Sequence, residues 1–116
     1  MKVLITGAKG FVGTNLTLYL RGKGFEVVEC DLSPSQVQGD VTDEAFVFEE
    51  LGSLDFDAVI HLAAVANVSD SIKDPYRCFK VNDMGTLNML EMASRKGVER
   101  FIYASSANVY GVPVEL

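Results

Sequence analysis

The sequence lacks most of the features that mark secreted, membrane or metal-binding proteins. Its 116 residues include only two cysteines, Cys30 and Cys78, too few for a disulfide framework or a cysteine-based metal site. No apolar run approaches the roughly 20 residues that a membrane-spanning helix needs. Met1 leads directly into a β-rich segment, which leaves no room for a signal or transit peptide. We therefore expect reduced thiols, no metal site, no membrane partner and a cytoplasmic location.

Positive charge is also scarce. Ten Lys and Arg stand against 16 Asp and Glu, which gives a net charge of -6. An acidic surface disfavours nucleic acid or an anionic membrane as the main partner. Apolar residues make up 48% of the chain, which argues against disorder. The prediction is one globular domain.

Short apolar runs alternate with segments of helical periodicity, and this order predicts an α/β fold with a parallel sheet covered by helices. Strands are predicted over 2–6, 26–30, 37–41, 58–63 and 100–105. Helices are predicted over 11–23, with Val12, Leu16, Tyr19 and Leu20 as its apolar stripe, over 42–51 after a Thr42 cap, and over 75–96.

The last of these helices has the clearest end signals. Asp74 is placed to cap it, Pro75 occupies its first position, and Gly97 follows its end. Three methionines lie within it and suit adaptable packing in a core or interface: Met84, Met89 and Met92.

A glycine-rich turn follows the first strand, in the segment TGAKGFVG. Gly7, Gly10 and Gly13 allow positive φ and leave no Cβ to block a pyrophosphate. The next helix begins near Phe11 and Val12 with unpaired N–H groups and a positive dipole end. The G-x-x-G-x-x-G spacing differs from the commoner G-x-G-x-x-G, and the Lys-Ser/Thr of a P-loop is absent. The turn favours a dinucleotide.

Aspartates follow the next two strands at the same edge of the sheet. Asp31 can accept hydrogen bonds from both adenosine ribose hydroxyls and would repel a 2′-phosphate, which favours NAD over NADP. Asp40 can accept from an adenine amino group while Val41 packs on the ring. A solvated loop aspartate is the alternative for Asp31.

Small and hydroxyl residues follow the remaining two strands. Ala63 and Ala64 leave room for a flat cofactor. His61 lies inside its strand, so a core histidine with satisfied hydrogen bonds is favoured over a catalytic one. Ser105 and Ser106 can cap a turn, but their place at this edge favours a ligand or catalytic hydroxyl.

Asn82 and Gly85 lie about one turn apart on the long helix. An amide beside a missing side chain suggests close approach by a backbone or a ligand. For Gly85, a packing role is equally open.

Five segments together resemble a known family: TGAKGFVG, GDV, HLAA, DPYRCFKVNDMGTLNMLE and YASSANVYG. They occur in the order typical of extended short-chain dehydrogenases/reductases, the NAD-dependent epimerase/dehydratase family, and are most similar to its nucleotide-sugar epimerases. The resemblance implies a Rossmann-type doubly wound parallel sheet, truncated after the fifth strand. Residues 1–116 would be an incomplete NAD-binding domain that lacks the substrate domain.

The resemblance also implies roles for single positions. Cofactor-binding roles fall to Gly7, Gly10, Phe11, Val12, Gly13, Asp31, Asp40, Val41, Leu62, Ala63, Ala64, Asn82 and Ser105. Ser106 matches the catalytic serine or threonine that hydrogen-bonds the sugar hydroxyl undergoing oxidation. The implied substrate is a nucleotide sugar, a UDP-sugar above all, and the parent protein is expected to be a homodimer formed through the long helix.

Two departures from the family pattern limit these expectations. Ala107 and Asn108 replace the Asp-Glu pair of sugar dehydratases and cannot do acid/base chemistry, so dehydration is not expected. The family's catalytic Tyr-x-x-x-Lys pair lies well downstream of the serine, whereas ten residues follow Ser106. The pairs at 19–23 and 76–80 are simpler helix-surface pairs.

The leading hypothesis is therefore the amino-terminal, NAD-binding part of a nucleotide-sugar epimerase, inactive by itself. The parent reaction would be transient oxidation at sugar C4 by hydride transfer to NAD. A non-catalytic NAD-binding module and a related reductase or decarboxylase are the alternatives. Without the missing part, we expect the long helix to expose a methionine-rich surface and the isolated chain to behave poorly.

Overall fold

A computed structural model describes residues 1–112 and 114, and within them five strands form one sheet. Its order is β3–β2–β1–β4–β5, and every neighbouring pair is parallel. The strands are β1 Lys2–Thr6, β2 Glu26–Asp31, β3 Val37–Gln38, β4 Ala58–His61 and β5 Arg100–Tyr103. This confirms the predicted Rossmann-type parallel sheet. The third, fourth and fifth strands end earlier than predicted, which leaves Leu62 and Ser105 beyond strand ends.

Helices fill the connections between the strands. Their bounds are α1 Phe11–Gly22, a π-helical turn at Phe46–Glu50 with a 3₁₀ turn at Leu51–Ser53, α2 Val68–Lys73, α3 Pro75–Phe79, a π-helical turn at Lys80–Gly85, α4 Thr86–Lys96 and a 3₁₀ turn at Ala107–Tyr110. The segments from 75 to 96 follow one another without a break and are called the long helix below.

The predicted ends of the long helix are confirmed. The Asp74 carboxylate accepts a hydrogen bond from the Arg77 amide at 3.0 Å, with Pro75 at the first position. Gly97 ends the helix at φ 70°, the left-handed conformation that glycine tolerates.

One local prediction was wrong, and one short helix was not predicted. The cap before Phe46 is Asp43, whose carboxylate accepts from the Phe46 amide at 3.2 Å, whereas Thr42 donates its own amide to Asp40. Helix α2 was not predicted. Asn67 caps it by accepting from the Ser69 amide at 2.9 Å, a local bond that stabilises one short turn despite weak periodicity.

The sheet is covered on both faces because its strands alternate. One cluster, against α1, contains Val3, Ile5, Ala8, Val27 and Ala58. The opposite cluster contains Leu4, Val28, Val59, Phe46, Val47, Leu51, Met89 and Met92, from the sheet, the 46–53 turns and α4. Helices on both faces are what the doubly wound prediction requires.

The apolar stripe predicted for α1 needs correction. Val12 and Tyr19 are exposed, whereas Gly13 and Thr17 are buried and Leu16 and Leu20 pack on the sheet. Positions 13, 16, 17 and 20 follow the i, i+3, i+4, i+7 pattern of one helix face.

The predicted methionine-rich surface was also wrong. Met89 and Met92 are fully buried in the core, and only Met84 is partly exposed. The exposed apolar residues of α4 are instead Leu87 and Leu90.

Among residues 1–112 and 114, the helices are too short or too polar to cross a membrane.

Candidate functional site

A cleft of about 340 Å³ opens at the carboxyl ends of β1, β2 and β4. The predicted site residues that line it together are Gly7, Gly10, Asp31, Asp40, Val41, Leu62, Ala63 and Ala64. They come from four separate loops, which the parallel sheet brings to one edge.

The glycine turn after β1 is shaped by two close backbone approaches. Gly7 has φ 68°, and a Cβ there would lie 2.8 Å from the Ala63 amide nitrogen. A Cβ at Gly13 would overlap the Gly7 carbonyl oxygen and lie 2.7 Å from Ala8 Cα. The neighbours are backbone atoms that cannot move aside, so both positions require glycine.

Helix α1 begins at this turn without a side-chain cap, because its N-cap residue is Gly10. The Gly10 amide donates to the Gly7 carbonyl at 3.1 Å, and the Thr14 amide donates to the Gly10 carbonyl at 3.0 Å. Phe11 and Val12 are exposed, and neither they nor Gly13 are among the residues that line the cleft. Uncapped first-turn amides and the positive end of the helix dipole suit a bound anion.

The Asp31 carboxylate joins the glycine turn to the loop after β2. Its Oδ2 accepts from the Lys9 amide at 2.8 Å, and its Oδ1 accepts from the Ser33 amide at 2.9 Å. An ionised carboxylate has about four acceptor positions, so each oxygen can accept one more hydrogen bond. Asp31 can therefore hold the turn and a ligand hydroxyl together.

Val41 also lines the cleft, and residues of the long helix pack against it. A Cβ at Gly85 would lie 2.7 Å from Val41 Cγ2, so Gly85 is glycine to admit this side chain. Asn88 Nδ2 donates to the Val41 carbonyl at 3.1 Å. The packing alternative for Gly85 is thus the one observed. Asp40, beside Val41, accepts from the Thr42 amide at 2.9 Å.

Two cationic residues at the cleft were missed by the sequence interpretation. The Lys9 ammonium lies 2.6 Å from Glu29 Oε2, and Arg21 pairs with the same carboxylate at 3.2 Å. Arg77 lines the cleft from α3 and has no ion pair among the described residues. Val81, one turn further along, lines it too, and this i, i+4 spacing was the available signal.

Asn82 lies outside the cleft lining and is bonded to a loop. Its Oδ1 accepts from the Val65 amide at 2.7 Å, and its Nδ2 donates to the Val65 carbonyl at 3.0 Å. The Asn82 side chain thus satisfies both the N–H and the carbonyl of Val65, as a paired strand would. It connects the long helix to the segment after β4. A direct contact from Asn82 to a cofactor stays a prediction.

His61 is a core histidine, as the sequence favoured. Its ring is 1% exposed, with Nδ1 2.6 Å from Thr6 Oγ1 and Nε2 3.1 Å from Thr86 Oγ1. Burial lowers the pKa of the imidazole to about 4, so it is neutral at pH 7.

The two serines lie beyond β5 and are exposed. Ser106 Oγ accepts from the Asn108 amide at 3.2 Å and so caps the following 3₁₀ turn. Neither Ser105 nor Ser106 is among the residues that line the cleft. Their ligand and catalytic roles stay predictions.

The cysteines carry no disulfide in the described residues. Burial, and secondarily the charge of Asp31, raises the pKa of the Cys30 thiol to about 12, so this cleft residue stays an unreactive thiol. Within the described ranges, no cluster of three or more His, Cys, Asp or Glu could hold a metal ion.

Known proteins resemble this chain along its whole length. The model of the NAD dependent epimerase/dehydratase family matches residues 3–115. UDP-glucose 4-epimerase of Caenorhabditis elegans is 32% identical over all of the chain, which spans only 41% of that protein. UDP-glucose 4-epimerase of Klebsiella pneumoniae is 34% identical, over 96% of the chain and 93% of its own sequence. The crystal structure of UDP-glucose 4-epimerase from Bifidobacterium longum in complex with NAD⁺ and UDP is similar, with a TM-score of 0.89 at 31% identity. This match covers all of the chain and 40% of that structure.

Proposed function

This chain belongs to the NAD dependent epimerase/dehydratase family, and on that premise we propose that residues 1–116 form the NAD-binding domain of a nucleotide-sugar epimerase. The proposed parent reaction is reversible oxidation at sugar C4, in which bound NAD supplies the hydride acceptor. Because the chain spans 41% of the C. elegans relative, the activity of the whole protein is part of the proposal.

One observation carries the cofactor assignment. The tight turn at Gly7, the uncapped start of α1 and the Asp31 carboxylate all meet at one cleft. A Cβ at Gly7 would clash with the backbone at Ala63, so only glycine lets the turn lie this close to the segment after β4. Backbone donors beside a ribose-binding carboxylate are the donor set that a dinucleotide needs.

The cleft divides into three binding regions in this proposal. The pyrophosphate lies over Gly7 and Gly10 and accepts from the first-turn amides of Phe11, Val12 and Gly13. Asp31 receives the adenosine ribose, and the adenine lies against Asp40 and Val41. The remaining wall, towards the nicotinamide, consists of Leu62, Ala63 and Ala64, with Ser105 further along the same edge.

The charges at the ribose region favour NAD over NADP. Asp31 would repel a 2′-phosphate. Lys9, the neighbouring cation, is paired with Glu29 at 2.6 Å and so is occupied by another anion. A 2′-phosphate at this position would meet the Asp31 carboxylate and a lysine that is already paired.

The proposed substrate-binding roles are supported by fewer observed contacts than the cofactor-binding roles. We propose that Ser106 hydrogen-bonds the reacting sugar hydroxyl and that Asn82 acts by holding the segment at Val65. A UDP-sugar is supported by the B. longum relative, which was crystallised with UDP. A cytoplasmic location and a homodimer formed through the long helix complete the proposal.

Calorimetric titration of the 116-residue chain with NAD and NADP tests the assignment. Wild type should bind NAD more tightly than NADP. Asp31→Ala should weaken NAD binding by about 10- to 100-fold, because charge-assisted hydrogen bonds to the ribose are lost.

Asp57→Ala is the matched control. Asp57 also accepts a backbone amide, that of Lys2 at 2.7 Å, but at the opposite edge of the sheet, so NAD affinity should not change. Equal affinities for NAD in wild type and Asp31→Ala would show that the ribose contact is misassigned.

A further inference from the structure

A single chain of hydrogen bonds runs through the buried His61 ring, and its direction can be assigned. The Thr86 hydroxyl lies 2.6 Å from the Asn82 carbonyl oxygen, which can only accept. Thr86 has one hydroxyl proton, and that bond uses it. The other contact of Thr86 Oγ1, with His61 Nε2 at 3.1 Å, must therefore be donated by the ring.

The other ring nitrogen is then an acceptor. The imidazole is neutral because burial lowers its pKa to about 4, so it has one N–H, on Nε2. Nδ1 carries no proton and accepts from the Thr6 hydroxyl at 2.6 Å. The lone pairs of Thr6 Oγ1 are left to face the backbone amides of Leu62 and Ala63, at 3.2 and 3.3 Å.

These two amides begin the wall of the cleft. The Leu62 amide also has the Thr6 carbonyl at 3.1 Å, whereas Thr6 Oγ1 is the acceptor for the Ala63 amide. The Ala63 nitrogen is the atom that comes within 2.8 Å of a Cβ placed on Gly7. The position of Ala63 therefore sets the space available to the glycine turn.

The other end of this series of hydrogen bonds, at Thr86 and Asn82, also leads to the segment after β4. Thr86 donates to the backbone of Asn82, and the Asn82 side chain holds both polar backbone atoms of Val65. The segment from 62 to 65 is thus fixed at its start through Thr6 and at its end through Asn82, with His61 between them.

We propose that His61 is a positioning residue for the cleft, and that its Nε2–H tautomer orients the Thr6 and Thr86 hydroxyls so that the 62–65 wall is formed before the cofactor binds. The role rests on the proposed NAD site, because a preformed wall lowers the cost of ordering on binding.

The tautomer can be measured without any variant. Nitrogen-15 NMR of the histidine ring at pH 7 should show protonated Nε2 and bare Nδ1. His61 is the only histidine of the sequence, so the signals need no assignment by mutation. An Nδ1–H tautomer, or an imidazolium at pH 7, would overturn the proposal.

Thr6→Val tests the link to the wall. Removing the hydroxyl should speed hydrogen exchange of the Ala63 amide and weaken NAD binding by about tenfold. Thr6→Ser, which keeps the hydroxyl, should restore both. Thr17→Val is the matched control, because Thr17 is a buried threonine of α1 whose hydroxyl has no hydrogen-bond partner among the described residues. Both measurements should match wild type.

The outcomes separate this proposal from the proposed function. Unchanged Ala63 exchange in Thr6→Val, or failure of Thr6→Ser to restore it, would overturn the positioning role even if NAD binds. Absence of NAD binding to wild type would overturn the NAD site. The tautomer and the Ala63 exchange rates would still test the hydrogen bonds through His61. If Thr6→Val does not fold, the tautomer measured in wild type and the Thr6→Ser measurements test the positioning role of His61.

Discussion

Strands β1 and β5 have similar apolar sequences and very different surroundings. Val3, Leu4, Ile5 and Thr6 of β1 are all buried, whereas Ile102 and Tyr103 of β5 are 55% and 51% exposed. β1 has a strand on each side and a packed cluster on each face. In the part of the chain that the structure describes, β5 pairs only with β4. The same residue types are thus core in one strand and surface in the other, because burial depends on neighbours.

This difference also divides the candidate site. The cleft residues Gly7, Asp31 and Ala63 follow the buried strands and are fixed by backbone contacts. Ser105 and Ser106 follow the exposed strand, where Ser106 is held by one local bond. The proposed cofactor half of the site is therefore held by several contacts in this chain, and the proposed substrate half is not enclosed.

The largest expected effect contrasts the two strands directly. Leu4→Ala removes a fully buried side chain and should lower the free energy of unfolding by about 2–5 kcal/mol. Ile102→Ala, at a half-exposed position, should lower it by less than about 1 kcal/mol. Urea titrations measure both, and equal losses would mean that β5 is covered in solution.

The second effect concerns pH. The folded-state pKa of His61 is lowered from 6.5 to about 4, so between these values the unfolded chain binds more protons than the folded one. The contribution of His61 to stability is complete above pH 6.5 and falls by up to about 3 kcal/mol as the pH drops to 4.

Unfolding measured at several pH values in wild type and His61→Gln isolates this contribution from the carboxylates, which titrate in both. The difference between the two proteins should shrink as the pH falls. A difference independent of pH would show that the pKa of the ring is the same in the folded and the unfolded protein.

The smallest effect extends the comparison of crowded and open positions to the two ends of α1. Gly13→Ala places a Cβ against the backbone of Gly7 and Ala8 and should destabilise the fold by about 1–3 kcal/mol. Gly22→Ala, with nothing within 4 Å, should stabilise it by about 0.5–1 kcal/mol. Thermal unfolding gives both signs. A neutral Gly13→Ala would mean that the turn can move away from the helix.

Sequence patterns were most reliable where a local signal acts alone. The caps at Asp74 and Gly97 and the strand at 2–6 needed only propensity and periodicity. Helix α2 was missed because one capping bond from Asn67 stabilises it, and that signal is weak. The sequence suggested a backbone or a ligand beside Asn82 without indicating which, and it missed Arg77 at the cleft. Both depend on how the long helix lies against the sheet.

The sequence by itself determined the order of the strands along the chain, the glycine turn after β1 and the edge at which the unusual residues meet. Apolar periodicity and the conformational freedom of glycine are local properties of the sequence. Parallel strands place their carboxyl ends at one edge of the sheet whatever their other contacts are. Only the tertiary structure decided that Gly85 admits Val41, that His61 lies between two threonines, and that β5 remains exposed. Each of these depends on contacts between residues far apart in the chain, which residue type and spacing do not specify.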